Sequence, residues 1–204
     1  MRKILITLAM LSISFSANAD ETYGQVSLAE ISTDAKTDAS ESGDIDSGYS
    51  LQGVLGKKLN DYFSVELEVG RTVKALSASR SESGLVGGET VTASDELEWD
   101  ILNVGAYFKA SSPRYYNFSA YAKAGWGYMR IDYTRSLKIS PAQLDTSELS
   151  GSSSGDDNDN GLTYGVGINY AINEKLDLLV EYIKLPELED IEFSLMKVGV
   201  NINI

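Results

Sequence analysis

The chain alternates apolar and polar side chains over short stretches, which is the pattern of a β-strand with two different faces. One stretch places Ser64, Glu66, Glu68 and Gly70 between the apolar residues Phe63, Val65, Leu67 and Val69. In a soluble protein the apolar face lines the core, whereas in a membrane-embedded barrel it contacts lipid and the polar face lines the lumen. The pattern therefore predicts strands and leaves open which face is inside.

Eight segments of this kind follow one another along the chain. They cover residues 22–32, 48–57, 62–74, 96–109, 116–132, 161–171, 175–185 and 190–204. No segment beyond the N-terminus is apolar enough to span a bilayer as a helix. Since only helices and closed barrels satisfy their backbone groups in lipid, a membrane-embedded form of this chain has to be a closed barrel.

The connections between these segments alternate in length. Long polar connections cover residues 33–47, 75–95 and 133–160, while those after the second, fourth and sixth strands are short, and so is the one after the seventh. Membrane barrels have short periplasmic turns and longer external loops, and a soluble meander has no physical reason to alternate in this way. We therefore predict an all-β, eight-stranded, antiparallel, up-and-down transmembrane β-barrel with both termini on the periplasmic side.

The N-terminus has the organisation of a bacterial secretory signal. Arg2 and Lys3 precede an apolar run over residues 4–15, and the small residues Ala17 and Ala19 mark the cleavage position. The apolar run is shorter than the roughly 20 residues that a spanning helix requires. We predict a signal peptide over residues 1–19 and a single barrel domain over residues 20–204.

Composition excludes several functions. The sequence contains no Cys, which rules out disulfides and thiolate chemistry, and no His, which rules out a Ser-His-Asp arrangement. The formal net charge of -13 argues against binding of nucleic acid or direct binding of anionic lipid. We expect no enzymatic activity and no cofactor.

Several charged residues fall on the face opposite the apolar rows: Glu66, Glu68, Lys123, Asp177, Glu181 and Lys197. The interior of an eight-stranded barrel is just wide enough for side chains to fill it. We therefore predict an interior network of ion pairs, in which the two lysines partner the carboxylates. The alternative is that these charges line a narrow ion path.

One segment of the third long connection is similar to the start of a calcium loop. Asp156, Asn158, Asn160 and Gly161 have the required spacing, but Gly167 stands where the bidentate acid is expected. We therefore predict a solvated acidic loop, preceded by a flexible Ser- and Gly-rich run over residues 150–155. The acidic connections are expected to bind divalent cations weakly and so to bridge to lipopolysaccharide phosphates.

Three segments, over residues 120–128, 165–170 and 198–204, carry a family resemblance. They read AYAKAGWGY, GVGINY and VGVNINI. With the strand pattern, they make the chain similar to the small OmpA-like and OmpX-like outer membrane barrels, which include the opacity-type surface proteins. The resemblance implies contact with outer membrane lipids and lipopolysaccharide, insertion by the outer membrane assembly machinery, and an extracellular or host ligand. Such barrels usually end in an aromatic residue, whereas this chain ends in Ile204.

These observations favour a non-enzymatic surface protein of the Gram-negative outer membrane. Its barrel would be an anchor and its external loops would act in envelope integrity, adhesion or host interaction. One alternative is a small porin, which would conduct ions in planar bilayers. Another is a soluble periplasmic, lipocalin-like binder of an apolar ligand, which requires Val65, Leu67 and Val69 to point inward.

Overall fold

The computed structural model describes residues 22–35, 45–86, 89–141, 149–187 and 191–204. The signal peptide predicted over residues 1–19 and the central part of the first long connection lie outside the described residues. Within the described part of the chain, no helix is long and apolar enough to cross a membrane. The described elements are the strands β1 (Thr22–Ala35), β2 (Ile45–Asp46), β3 (Gly48–Lys58), β4 (Phe63–Lys74), β5 (Leu76–Val86), β6 (Glu89–Ser111), β7 (Phe118–Pro141), β8 (Leu149–Ala171), β9 (Leu176–Lys184) and β10 (Ile191–Asn203).

Eight of these strands form a closed antiparallel ring. The hydrogen-bonded order is β1, β3, β4, β6, β7, β8, β9 and β10, and β10 pairs with β1 again, from Tyr23 opposite Asn203 to Ala35 opposite Ile191. Neighbours in the ring are connected directly along the chain, except that β2 lies between β1 and β3, and β5 between β4 and β6. The prediction of an eight-stranded up-and-down barrel is confirmed, and every predicted barrel strand overlaps an observed one.

The prediction that residues 75–95 and 133–160 are loops was wrong for the described strand residues of these ranges, 76–86, 89–95, 133–141 and 149–160. β5 pairs with the first part of β6, from Leu76 opposite Trp99 to Val86 opposite Glu89. The last part of β7 pairs with β6 up to Pro141 and with β8 up to Leu149. These segments are rich in Ser, Thr and Gly, and backbone pairing between neighbouring strands makes up most of their contacts. They form a four-stranded extension of the wall, β5–β6–β7–β8, which we call the projecting sheet.

The apolar rows of the barrel strands face outward, as predicted for a transmembrane barrel. Val26, Val69, Val166 and Val198 each expose more than half of their surface. On β6 the outward row from Leu102 to Ala110 is uncharged, and with about 3.3 Å per residue and a tilt near 40° it spans roughly 20 Å. Such a belt is of the order of the apolar band of outer membrane barrels.

The belt is bounded differently at its two ends. At the end with the short turns, aromatic rings pack in pairs, Phe63 against Phe108 at 5.3 Å and Phe118 against Tyr170 at 4.9 Å between ring centroids. At the opposite end, which we call the hairpin end, outward positions become charged. This charged rim includes Glu30, Arg71, Asp100, Arg130, Asp132, Asp156 and Lys184. An apolar belt between an aromatic girdle and a charged rim is the exterior of a bilayer-spanning barrel.

Candidate functional site: the closed interior and the projecting sheet

The middle of the barrel holds a dry network of charged side chains. The Lys123 ammonium lies 2.8 Å from Glu68, 3.0 Å from Glu181 and 3.4 Å from Glu66. The Lys197 ammonium lies 2.5 Å from Glu68 and 2.9 Å from Glu181. All five side chains have no solvent-exposed surface. Five of the six charged residues singled out from the sequence therefore meet at one level of the barrel.

A third lysine, which the sequence analysis missed, completes this network. Lys109 donates a hydrogen bond of 2.8 Å to Glu66 and lies 4.0 Å from the ring centroid of Tyr121. Tyr121 in turn donates to Glu181 at 2.8 Å, and Tyr23 donates to Glu66 at 2.6 Å. Lys109 follows Tyr107 at the inward spacing of β6, and that spacing was the available signal. Three ammonium groups now balance three carboxylates, as a buried network requires.

Asp177 does not belong to this network, so the sixth assignment was wrong. Its carboxylate accepts a hydrogen bond of 3.0 Å from Arg114 at the turn end of the barrel. The reason is the strand period: Asp177, Leu179 and Glu181 are successive inward positions of β9, and Leu179 separates the two acids. Asp177 and Arg114 line an open cavity of about 390 Å³ beneath the network.

Above the network, towards the hairpin end, comes a neutral polar layer. The amides of Gln52 and Asn103 hydrogen-bond to each other reciprocally at 3.2 Å, and Gln52 also donates to Ser50 at 2.8 Å. A side chain at Gly70 would overlap the Gln52 amide, so glycine at this inward position makes room for the pair. In this layer the side chains of Gln52, Asn103 and Ser50 therefore hydrogen-bond to one another.

The hairpin end of the lumen is closed by an apolar plug, which the sequence analysis did not predict. Its buried members come from six strands and the segment after β9: Ala29, Ile31, Leu76, Ile101, Met129, Ile131, Ile183, Leu185, Phe193 and Leu195. Trp99 and Ile191 pack against it while partly exposed. An ion path requires polar groups along its length, and the ten buried side chains of the plug are all apolar. Among the described residues, this apolar layer therefore separates the polar lumen of the barrel from the polar groups of the projecting sheet.

The two faces of the projecting sheet differ. The face continuous with the lumen carries Trp99, Leu97, Tyr133 and Leu137, and the opposite face is rich in serine and threonine. On the first face Arg135 donates hydrogen bonds of 2.5 Å and 2.9 Å to Asp95 on the neighbouring strand. These bonds and the charge of Arg135 hold the pKa of the Asp95 carboxyl below its usual range. The bidentate pair links β6 and β7 beyond the barrel.

One edge of the projecting sheet is open within the described residues. β9 pairs with β8 only as far as Tyr164, so the part of β8 from Leu149 to Thr163 pairs with β7 alone. Asp156, Asn158, Asn160 and Gly161, predicted to form a solvated loop, lie in this part of the strand. The described residues contain no group of three or more Asp or Glu that would hold a metal ion.

Aspartate side chains occupy the outward N–H groups along only one part of the open edge. The backbone N–H of Asn158 donates a 2.7 Å hydrogen bond to the Asp157 carboxylate, and the backbone N–H of Asn160 donates one of the same length to the Asp159 carboxylate. These two amides face the open edge, because in an antiparallel ladder every second residue turns both backbone groups away from its partner. In the part of the edge nearer the barrel, the N–H groups of Asn158 and Asn160 are thus already hydrogen-bonded. Farther from the barrel, around Ser152 and Ser154, the edge keeps unpaired backbone groups.

Comparison with known proteins shows which family has this architecture. Residues 4–203 match the family model of the outer membrane protein beta-barrel domain. A search of curated proteins finds no match. Among solved structures, Neisserial surface protein A is similar with a TM-score of 0.56 and 14% identity, covering 90% of this chain and 97% of that one. The outer membrane protein OprG from Pseudomonas aeruginosa is similar with a TM-score of 0.52 and 11% identity, covering 89% and 95%. At these identities the two structures support the fold alone, whereas the family match spans nearly the whole chain: the protein belongs to the outer membrane β-barrel family.

Proposed function

We propose that this protein is a non-enzymatic surface protein of the Gram-negative outer membrane, in which the barrel is an anchor and the projecting sheet binds an external partner. The observation that carries the proposal is the contrast between the two parts. The lumen is filled by a charge-balanced network and an apolar plug, while three barrel strands continue past the charged rim into an exposed sheet with an open edge. Family membership supports the outer membrane location. Signal cleavage after Ala19 and insertion by the assembly machinery stay predictions.

The alternative of a soluble, lipocalin-like binder does not fit the orientation of the strands. It needs Val65, Leu67 and Val69 to point into the barrel, yet the residues between them, Glu66 and Glu68, are the buried ones. An apolar ligand would have to enter a lumen that holds three ion-paired lysines.

The small-porin alternative predicts that the protein conducts ions across a planar bilayer. Because the plug separates the polar lumen from the hairpin end, we expect the refolded protein to show no discrete single-channel openings in planar bilayers. The matched control is a larger porin refolded in the same way. Regular openings of fixed amplitude that persist across independent preparations would favour the porin function over the anchor function.

The open edge indicates how an external partner is recognised. Ser150, Ser152, Ser154 and Asp156 turn backbone donors and acceptors outward over about 20 Å of strand, enough to pair with an extended peptide. Self-pairing within one membrane is less favourable than antiparallel addition of a peptide, because barrels that share a bilayer orientation present identical edges to each other as parallel strands, which pair slightly less stably. Asp156, Asp157 and Asp159 favour a partner strand with positive charge.

Strand addition at this edge is tested with a fluorescent peptide of alternating lysine and threonine, about seven residues long. We expect saturable binding to the protein in nanodiscs, and we expect Ser152→Pro to weaken it about tenfold, because proline removes one edge N–H without disturbing the pairing with β7. Ser152→Thr, which keeps the amide, is the matched control. Equal binding by both variants, or equal binding of a glutamate–threonine peptide, would contradict the proposal.

A further inference from the structure

One row of side chains along the open edge of β8 lies on the inner face of the projecting sheet, the face continuous with the lumen. The row continues the inward parity of the buried Thr163. In the part of β8 that pairs with β7 alone, it contains Gly151, Ser153, Gly155, Asp157 and Asp159. An antiparallel strand added to this edge would place every second side chain on the same face, directly opposite these residues. The row therefore determines which side chains of an added strand fit the inner face.

The ring of Tyr133 covers one position of this row. Tyr133 lies directly opposite Gly155 in the ladder between β7 and β8, and a side chain at Gly155 would overlap the Tyr133 ring. An aromatic ring laid over a glycine near a sheet edge is an established way of packing such a position. Tyr133 still exposes 38% of its surface. Because no described strand follows β8 at this height, the ring is accessible from the place that an added strand would occupy.

The position two residues nearer the barrel is acidic. Asp157 is half-buried on the inner face, where its carboxylate accepts the hydrogen bond from the backbone N–H of Asn158. Among the described residues it has no cationic partner, whereas Asp156 on the outer face lies 3.5 Å from Arg130. A cationic side chain of an added strand would balance the charge of Asp157 at the edge.

We propose that the open edge selects an extended peptide in which a cationic residue is followed, two positions later, by an aromatic residue. This inference rests on the proposed strand addition and names the partner sequence that the edge prefers. An antiparallel strand runs from the barrel towards the far end of the sheet, so it meets Asp157 first and Gly155 two residues later. Its cationic side chain lies opposite Asp157, and its aromatic ring packs against the ring of Tyr133.

The pairing pattern brings these side chains close together. The backbone groups of Gly155 and Asp157 are turned towards β7, since those of the residues between them face the open edge. The peptide residues opposite Gly155 and Asp157 therefore form non-hydrogen-bonded pairs with them, in which opposed side chains approach most closely. Since Gly155 has no side chain, the aromatic residue of the peptide contacts Tyr133 across it.

Two seven-residue peptides of identical composition test this spacing. Lys-Thr-Phe-Thr-Lys-Thr-Lys carries phenylalanine in the lysine row, whereas Lys-Phe-Lys-Thr-Lys-Thr-Thr carries it in the threonine row, on the opposite face of the strand. Both peptides carry the same fluorophore and are titrated with the protein in nanodiscs. We expect the first peptide to bind about tenfold more tightly, because only this peptide can place a lysine opposite Asp157 and the ring against Tyr133 together.

Variants of Tyr133 show whether its ring carries the preference. Tyr133→Ser removes the ring and should reduce the preference to about twofold, while the matched control Tyr133→Phe should preserve it. Equal binding of the two peptides to the unaltered protein, which requires no variant to fold, would overturn this inference and leave strand addition intact. A full preference in folded Tyr133→Ser would do the same. If neither peptide binds, and the alternating lysine–threonine peptide does not bind either, strand addition is excluded and this inference with it.

Discussion

Replacement of Lys123 by methionine is expected to lower the free energy of unfolding by about 3–5 kcal/mol. The Lys123 ammonium contacts three buried carboxylates, Glu66, Glu68 and Glu181, and methionine leaves them with two lysines in a dry layer. The measurement is urea unfolding in lipid vesicles, followed by heat-modifiable gel mobility and tryptophan fluorescence.

Two further variants separate lost charge balance from lost packing. Lys175→Met removes an exposed lysine at a turn and should change stability by less than about 0.5 kcal/mol. Lys123→Met combined with Glu68→Gln restores the balance of charge and should recover at least half of the loss. If the double variant is less stable than Lys123→Met alone, charge balance is not what the network supplies.

Replacement of Val166 by arginine is expected to cost about 2–4 kcal/mol and to reduce the yield of inserted protein. Val166 exposes 58% of its surface and lies midway along the outward row of β8 from Leu162 to Tyr170. In a soluble protein such a position would accept arginine at little cost, but at the middle of a bilayer the charge loses its hydration. Unfolding from vesicles and the fraction of heat-modifiable protein measure the effect.

The same strand provides the control for depth. Ser154→Arg places the same side chain on the same face of β8, beyond the charged rim, and we expect a change within about 0.5 kcal/mol. A cost at Ser154 equal to that at Val166 would mean that the penalty comes from strand propensity. No cost at Val166 would contradict the lipid-facing orientation of the belt.

The alternation of side chains was sufficient to predict the barrel and its orientation. Val65 and Leu67 face outward with Glu66 buried between them, as a period of two requires once the compartment is known. The inward parity of Glu66, Glu68, Lys123, Glu181 and Lys197 followed from the same pattern, whereas their meeting at one level is shown by the structure. Asp177 shares the parity but not the level, and parity alone gives no height along the axis.

The plug and the projecting sheet were not predicted, for two different physical reasons. On β1 the outward row changes from Leu28 to Glu30 while the inward row changes from Ser27 to Ile31, so the two rows exchange polarity at the rim. That exchange was present in the sequence and marks the plug. The strand over Ser150–Gly161 has no such signal, because its residues have low β propensity and only the register with β7 makes it a strand.

The continuity of β6, β7 and β8 from the bilayer into the projecting sheet has a mechanical consequence. A partner that pulls on the sheet loads these strands along their length, so the force acts in shear across the many ladder hydrogen bonds that lie perpendicular to it. Bonds loaded in this way share the force and do not open one after another, as they would in a hairpin peeled from its end. The tension therefore passes along continuous strands from the projecting sheet into the barrel wall.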